Sequence, residues 1–185
     1  MRVVGGRFKG RALAGPRSRD IRPTSDRLRE ALFNILAHRF DLPGPQTRVL
    51  DLFAGTGALA LEALSRGAAY AVMIETGTEG RGLIRENVEA LGLTGVTKIF
   101  RRDATMLGAA GTIAPFDLIF CDPPYGKDLG MLALGAALEG SWVGPAAIAV
   151  VEDRAGTDFA WPTAFTEIDR RRYGDTEIGI AEISR

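Results

Sequence analysis

The segment DLFAGTG, residues 51–57, has the composition of a tight ligand-binding turn between a strand and a helix. Its two glycines, Gly55 and Gly57, allow the backbone to turn sharply and to approach a ligand closely. Glu75 ends the next predicted strand, where a carboxylate suits the two hydroxyls of a ribose. These residues together predict a site for a cofactor that contains a nucleoside.

Two kinds of cofactor fit this turn, and an acidic residue favours one of them. The pattern Gly55-x-Gly57-x-x-Ala60 also matches dinucleotide sites, so the glycines alone do not decide. Asp51 lies where a dinucleotide fold usually has an apolar residue, and its carboxylate suits the methionine ammonium of S-adenosylmethionine. We therefore predict that S-adenosylmethionine binds here, without a metal. The predicted cofactor contacts are Asp51, Phe53, Gly55, Gly57, Glu75, Asp103 and Asp122.

Asp103 has two interpretations within this set. It ends the third predicted strand, where its carboxylate could accept a hydrogen bond from the adenine amino group. A cap of the following loop explains the same residue equally well.

The segment DPPY, residues 122–125, follows the fourth predicted strand. It should lie beside the glycine turn, because ligands bind beyond the carboxyl ends of strands in open α/β sheets. The consecutive prolines remove two N–H donors and hold the backbone carbonyls stiffly as acceptors. A base can then donate its exocyclic amine hydrogens to Asp122 and to the carbonyl of Pro123, while its ring stacks on Tyr125. The predicted catalytic residues are therefore Asp122, Pro123 and Tyr125.

Cys121 and His38 are the only cysteine and the only histidine. An intrachain disulfide and the usual Cys/His zinc site therefore cannot form within one chain. Cys121 is better placed in the core than as a nucleophile, since neighbouring side chains on a strand point to opposite faces. The N-terminus lacks the apolar core of a signal peptide, and the longest strongly apolar run, 146–151, is too short to span a bilayer. We expect a cytoplasmic protein that binds no membrane.

Positive charge is concentrated near the N-terminus, although the formal net charge of the chain is +0. Residues 1–39 contain ten Lys and Arg against three Asp and Glu, which gives +7 there and −7 for the remainder. This asymmetry fits either a basic arm that meets a polyanion or a solvated arginine-rich surface. For the first alternative, the predicted RNA contacts are Arg7, Lys9, Arg11, Arg22, Thr24 and Arg29.

An N-terminal extension, 1–43, is predicted to precede the domain that carries both motifs, 44–185. The extension should begin as a hairpin-like segment over 2–14 and continue through a basic loop to a helix capped by Thr24 or Ser25. Arg29 lies off the apolar stripe of that helix and is expected to face solvent or a ligand.

Strands and helices alternate through the second domain, which favours a doubly wound α/β sheet. A capping box, Thr76-x-x-Glu79, is predicted to begin one of the helices. The last two strands have no helix between them and should pair as an antiparallel hairpin. The predicted strands are 48–53, 70–74, 97–101, 116–121, 146–152, 165–171 and 177–183, and the predicted helices are 59–65, 76–91 and 128–138.

The chain resembles the bacterial 16S ribosomal RNA guanine-N2 methyltransferases of the RsmD type over nearly its whole length. The glycine turn and DPPY occur in many amino-methyltransferases, whereas the N-terminal block is more distinctive. The matching segments are Gly5-Gly6, Lys9-Gly10-Arg11, Arg22-Pro23-Thr24, Asp26-Arg27, Arg29-Glu30, Leu32-Phe33-Asn34, 51–57, 62–67, 122–125 and 173–176.

This resemblance implies a class I methyltransferase fold: Rossmann-like, mostly parallel and seven-stranded, with an antiparallel last strand. It also implies S-adenosylmethionine as methyl donor and 2-methylguanosine as product in 16S rRNA, preferably within a partly assembled small ribosomal subunit. We expect the protein to be a monomer. Glu75 matches the family's ribose-binding acid. One departure is visible, because Thr76-Gly77 follows Glu75 where the family commonly has an acid two residues on.

Two other functions remain open from the residues. An adenine-N6 methyltransferase that acts on DNA or RNA would use the same DPPY segment. A ribosome-assembly factor without catalysis would need only the basic extension, although the intact Asp122 and Tyr125 argue against it.

Overall fold

The apolar runs of the chain form one sheet of seven strands in the computed structural model, which describes residues 1–184. The strands are β1 (Arg48–Asp51), β2 (Tyr70–Ile74), β3 (Thr97–Phe100), β4 (Phe116–Cys121), β5 (Val143–Arg154), β6 (Phe165–Tyr173) and β7 (Thr176–Ile183). The helices are α1 (Asp26–Phe40), α2 (Ala58–Ser65), α3 (Thr78–Ala90) and α4 (Leu129–Glu139).

The strand order is β3-β2-β1-β4-β5-β7-β6. The first five strands of this order are parallel, and β7 runs antiparallel to both β5 and β6. The doubly wound sheet and its final antiparallel hairpin are therefore confirmed. Because strand order reverses direction between β1 and β4, the loops after these strands diverge and leave a crevice at their carboxyl ends.

The N-terminal extension packs against α2. Val3 and Leu13 are buried in the same apolar cluster as Leu61 and Leu64 of that helix. The amide of Val4 donates to the Glu62 carboxylate at 3.0 Å. All eight residues of α2 are buried, because the extension covers the side that the sheet leaves open. The hairpin-like start is present as an isolated antiparallel bridge between Arg2 and Ala12. A domain division after residue 43 stays a prediction.

Arg29 corrects one expectation for α1. Its side chain is fully buried instead of facing solvent, and its Nη1 lies 3.3 Å from a Glu62 carboxylate oxygen. Asp26 forms a second ion pair with the same guanidinium. Helical periodicity assigns core positions to apolar residues and therefore misses an arginine whose partner lies on another helix. The N-cap of α1 is Ser25, whose hydroxyl accepts from the amide of Leu28 at 3.1 Å.

The start of α3 corrects another expectation, because Thr76 and Glu79 form no capping box. Gly77 is the N-cap residue and supplies no side-chain hydrogen bond. The Glu79 carboxylate instead accepts from the amides of Arg17 and Ser18, at 2.7 and 3.1 Å. Glu79 therefore fastens the basic loop of the extension to α3.

None of the helices within residues 1–184 has both the length and the apolar character that crossing a bilayer requires.

Candidate active site

A cavity of about 480 Å³ opens at the carboxyl ends of the central strands. Its lining includes residues at the carboxyl ends of β1, β2, β3 and β4, Glu152 within β5, and the segment 20–24 of the extension. The main lining segments are 20–24, 52–56, 74–76, 102–105 and 122–125, with Leu129 and Glu152. Both sequence motifs therefore border one cavity, as their positions after parallel strands predicted.

The glycine turn and Glu75 are joined by hydrogen bonds. Gly55 and Gly57 have positive φ angles of 58° and 81°, which residues with a side chain rarely adopt. The amide of Gly55 donates to one oxygen of Glu75 at 2.8 Å, and the amide of Gly77 donates to the other at 2.9 Å. Gly77, which stands where the family commonly has an acid, thus contacts this carboxylate through its backbone amide. Each Glu75 oxygen keeps lone pairs for a further donor.

Asp51 is buried at the end of β1, and no hydrogen bond from any residue within 1–184 reaches either of its carboxylate oxygens. Burial raises the pKa of Asp51 to about 7, and the nearby charge of Glu75 adds to the rise. The backbone amides of Ala60 and Phe53 oppose this shift, but neither meets hydrogen-bond geometry. An unpartnered buried carboxylate is costly, so this position favours a cationic or hydrogen-bonding ligand.

Asp51 and Gly57 are buried and do not line the cavity, unlike the other predicted cofactor contacts. Phe53 and Asp103 line it. The Asp103 carboxylate accepts from the amide and the hydroxyl of Thr105, at 2.9 and 2.7 Å, and so caps a short 3₁₀ turn. The loop-cap interpretation of Asp103 is therefore present, and a contact with adenine stays a prediction.

The DPPY segment presents an acceptor and an aromatic ring to the cavity. The hydroxyl of Thr24 donates to Asp122 at 3.1 Å. Burial raises the pKa of Asp122 well above its ordinary value, and the Glu152 carboxylate raises it further. The Tyr125 hydroxyl lies 3.0 Å from the hydroxyl of Thr176, which fixes the ring. The Arg22 guanidinium lies 4.9 Å from the centroid of that ring.

Glu152 is a cavity residue that the motifs do not include. It lies in β5, and burial raises its pKa to about 7 while the charge of Arg22 opposes the rise. The only sequence signal would have been its position beside DPPY in the next parallel strand, and that requires knowledge of the strand order.

The six predicted RNA contacts divide into three groups. Arg7, Lys9 and Arg11 are exposed on the extension, where Arg11 also donates to the carbonyl of Ala90 at 2.7 Å. Arg22 and Thr24 line the cavity. Arg29 is fully buried and has no surface for a nucleic acid, so its predicted RNA contact is wrong. The other five remain predictions.

Chemically, the arrangement can hold a nucleoside and a donor-rich planar group side by side. Glu75 offers acceptors at one end of the cavity, and Asp122 and Glu152 offer them at the other. Within the part of the chain that the structure describes, no group of three or more His, Cys, Asp or Glu residues is placed to hold a metal ion.

Comparison with known proteins agrees with this arrangement. The protein family described as conserved hypothetical protein 95 matches residues 1–182. Ribosomal RNA small subunit methyltransferase D of Escherichia coli K12 is 36% identical over 152 residues, which cover 82% of this chain and 74% of that protein. The Haemophilus influenzae protein of the same name is 30% identical over 176 residues, covering 94% and 89%.

A solved structure extends the likeness to the fold. The Escherichia coli protein yhhF, described as a candidate methyltransferase, has a TM-score of 0.85 and 30% identity, covering 99% of this chain and 97% of that chain. The predicted class I methyltransferase fold is thereby confirmed. The chain belongs to the family described as conserved hypothetical protein 95 and is a methyltransferase related to ribosomal RNA small subunit methyltransferase D.

Proposed function

We propose that the protein transfers a methyl group from S-adenosylmethionine to the exocyclic N2 amine of a guanine in 16S rRNA. The observation that carries this proposal is the shared cavity, in which Asp122 and Tyr125 border the same space as Glu75 and the glycine turn. The name shared by these relatives, ribosomal RNA small subunit methyltransferase D, supports rRNA as the substrate. The place of action would be the cytoplasm.

The residues present fit S-adenosylmethionine. Glu75 has free lone pairs for the ribose hydroxyls, and the turn at Gly55 lets the backbone approach the ligand. The orphaned carboxylate of Asp51 would gain a partner in the methionine ammonium, directly or through water. When bound, this cofactor would supply an electrophilic methyl group and would leave as S-adenosylhomocysteine.

The chain's own contribution is to orient an amine that is a weak nucleophile. The Asp122 carboxylate and the Pro123 carbonyl accept the two amine hydrogens, which aligns the nitrogen with the methyl group. Tyr125 stacks on the base and is itself held by Thr176. Asp122 also stabilises the positive charge that develops on the nitrogen, and its raised pKa suits it to take the released proton.

The exposed cations of the extension would contact RNA phosphates, which position the substrate without reading its sequence. The target base must be unstacked or flipped to reach the cavity, at a cost of about a few kcal/mol. We propose a partly assembled small subunit as the substrate and a monomer as the active form.

The test uses S-adenosylmethionine with a labelled methyl group and small ribosomal subunits from cells that lack this activity. After digestion of the RNA, the labelled nucleoside is identified. Label in 2-methylguanosine would support the proposal. Label in 6-methyladenosine would agree with the proposed mechanism but would contradict guanine as the target base. Absence of label despite measurable cofactor binding would instead favour a non-catalytic assembly factor.

Replacing Glu75 with alanine should weaken S-adenosylmethionine binding by about 10- to 100-fold, because hydrogen bonds to a charged group are lost. Isothermal titration calorimetry measures the change in Kd. Glu86→Ala, which removes an exposed acid from α3, is the matched control and should bind normally. Equal affinities of the two variants would contradict the role of Glu75.

Replacing Tyr125 with alanine should lower kcat/KM by about 10- to 100-fold, the range expected when one base loses an aromatic stacking partner. Tyr125→Phe keeps the ring and removes only the contact with Thr176, so its kcat/KM should stay within about threefold of the parent. If the two variants lose activity equally, the hydroxyl and not the stacking surface carries the function.

A further inference from the structure

Glu152 and Asp122 are neighbours across two parallel strands. Cys121 of β4 pairs with Val151 of β5, so the next positions along the two strands are Asp122 and Glu152. Residues aligned in this way point to the same face of a sheet. Both carboxylates line the cavity, and the hydroxyl of Thr24 is close enough to influence both. The two acids therefore form one continuous acceptor edge.

The order of the strands shows where Glu152 lies relative to the proposed cofactor site. Across the sheet, the cavity is bordered by Asp103 after β3, Glu75 after β2, the glycine turn after β1, Asp122 after β4 and Glu152 in β5. The first three of these positions belong to the proposed cofactor, and Asp122 belongs to the reacting amine. Glu152 lies on the far side of Asp122 from the cofactor, where the rest of the target base must lie.

The hydrogen-bonding groups of guanine and adenine indicate which base this acceptor edge would recognise. On the Watson–Crick edge of guanine, the N2 amine and the ring N1–H are adjacent donors, and enzymes read flipped bases through this edge. Adenine offers an amine donor beside an N1 acceptor, which an ionised carboxylate repels. Arg22 opposes the larger rise in the pKa of both acids that burial causes, and a carboxyl group keeps acceptor capacity in either protonation state.

We propose that Glu152 is a specificity-determining residue that accepts the N1–H of the target guanine while Asp122 accepts its N2 amine. This inference rests on the proposed function and adds to it the group that selects guanine.

The analogue 2-aminopurine tests this contact, because it keeps the amine at C2 and lacks the N1–H. Single-turnover methylation is measured on small subunits reconstituted with guanosine or 2-aminopurine at the mapped target position. The unchanged protein should prefer guanosine by about 10- to 100-fold, the range for one hydrogen bond to a charged group. Glu152→Gln should reduce this preference to within about threefold, because an amide can turn either its oxygen or its nitrogen towards N1.

Glu182→Gln, on an exposed position of β7, is the matched control and should keep the full preference. Equal rates of the unchanged protein on the two substrates would overturn the role of Glu152 and leave the proposed function intact. A Glu152→Gln protein that slows equally on both substrates would also overturn it, since that result indicates structural support only. No transfer to guanosine by the unchanged protein would instead refute the proposed function, and this inference with it.

Discussion

Replacement of Asp122 with alanine is expected to slow single-turnover methyl transfer by about 10²- to 10³-fold, the effect of removing one preorganised group that stabilises a developing charge. The substitution removes the acceptor that orients the amine and leaves Tyr125 and the Glu75 end of the cavity unchanged. Binding of S-adenosylmethionine and of RNA should therefore change much less than the rate. Rapid-quench measurement with labelled cofactor at saturating RNA separates these effects.

Two controls accompany this variant. Asp122→Asn keeps a carbonyl acceptor and should fall between the parent and Asp122→Ala. The alanine variant should also remain folded. Because the pKa of Asp122 is raised in the folded protein, its carboxyl group lowers the stability of the native state once the pH exceeds the ordinary pKa of a carboxyl group. A melting temperature at pH 8 no lower than that of the parent would confirm this. An unchanged transfer rate would show that Asp122 is not the catalytic acceptor.

Replacement of Arg29 with methionine is expected to lower the free energy of unfolding by about 3 kcal/mol, because it leaves a buried carboxylate without one of its partners. The Arg29 guanidinium also donates to the carbonyl of Arg2 at 2.9 Å, so the extension loses an attachment. Glu62 keeps Arg66 at 2.9 Å, which places the loss at the lower end of the range for broken buried pairs. Urea unfolding followed by circular dichroism measures the difference.

The matched control for Arg29 is Arg27→Met, which removes an exposed arginine from the same helix and should change stability by less than about 0.5 kcal/mol. The double variant Arg29→Met with Glu62→Met should recover part of the loss, since no buried carboxylate is left without a cation. If Arg29→Met and Arg27→Met have the same stability, the ion pair with Glu62 contributes nothing to the fold.

Local sequence patterns were enough to predict the sheet and both motifs at its carboxyl edge. The glycine turn and DPPY each combine residues that are close in sequence, so their geometry follows from the segment itself. Strand ends were predicted less well, because β5 extends to Arg154 through polar residues that pair with β7. Pairing with β7 determines the length of β5, and the hydropathy of the sequence does not indicate that pairing.

The errors at Arg29 and Glu79 share one physical cause. Each side chain is partnered by residues far away in the sequence, Glu62 in one case and the loop at Ser18 in the other. Helical periodicity and capping rules treat a helix as isolated and therefore assign such residues to solvent or to their own helix end. The sequence does not predict Glu152 as a site residue for the same reason, since only the register of β5 against β4 brings it beside Asp122.

The docking of the extension on α2 and α3 has a consequence for the order in which the chain folds. Its first residues are synthesised first, yet Val4 needs Glu62 and Ala14 needs Asn87, which hydrogen-bonds to both the amide and the carbonyl of Ala14. The basic segment can take its final shape only after Glu62 of α2 and Asn87 of α3 have left the ribosome and folded. Contacts of such long sequence separation form late, because chain closure costs entropy before they stabilise anything. The surface proposed to bind RNA is thus completed only after α2 and α3 have been synthesised and folded, and a nascent fragment that ends before them would lack it.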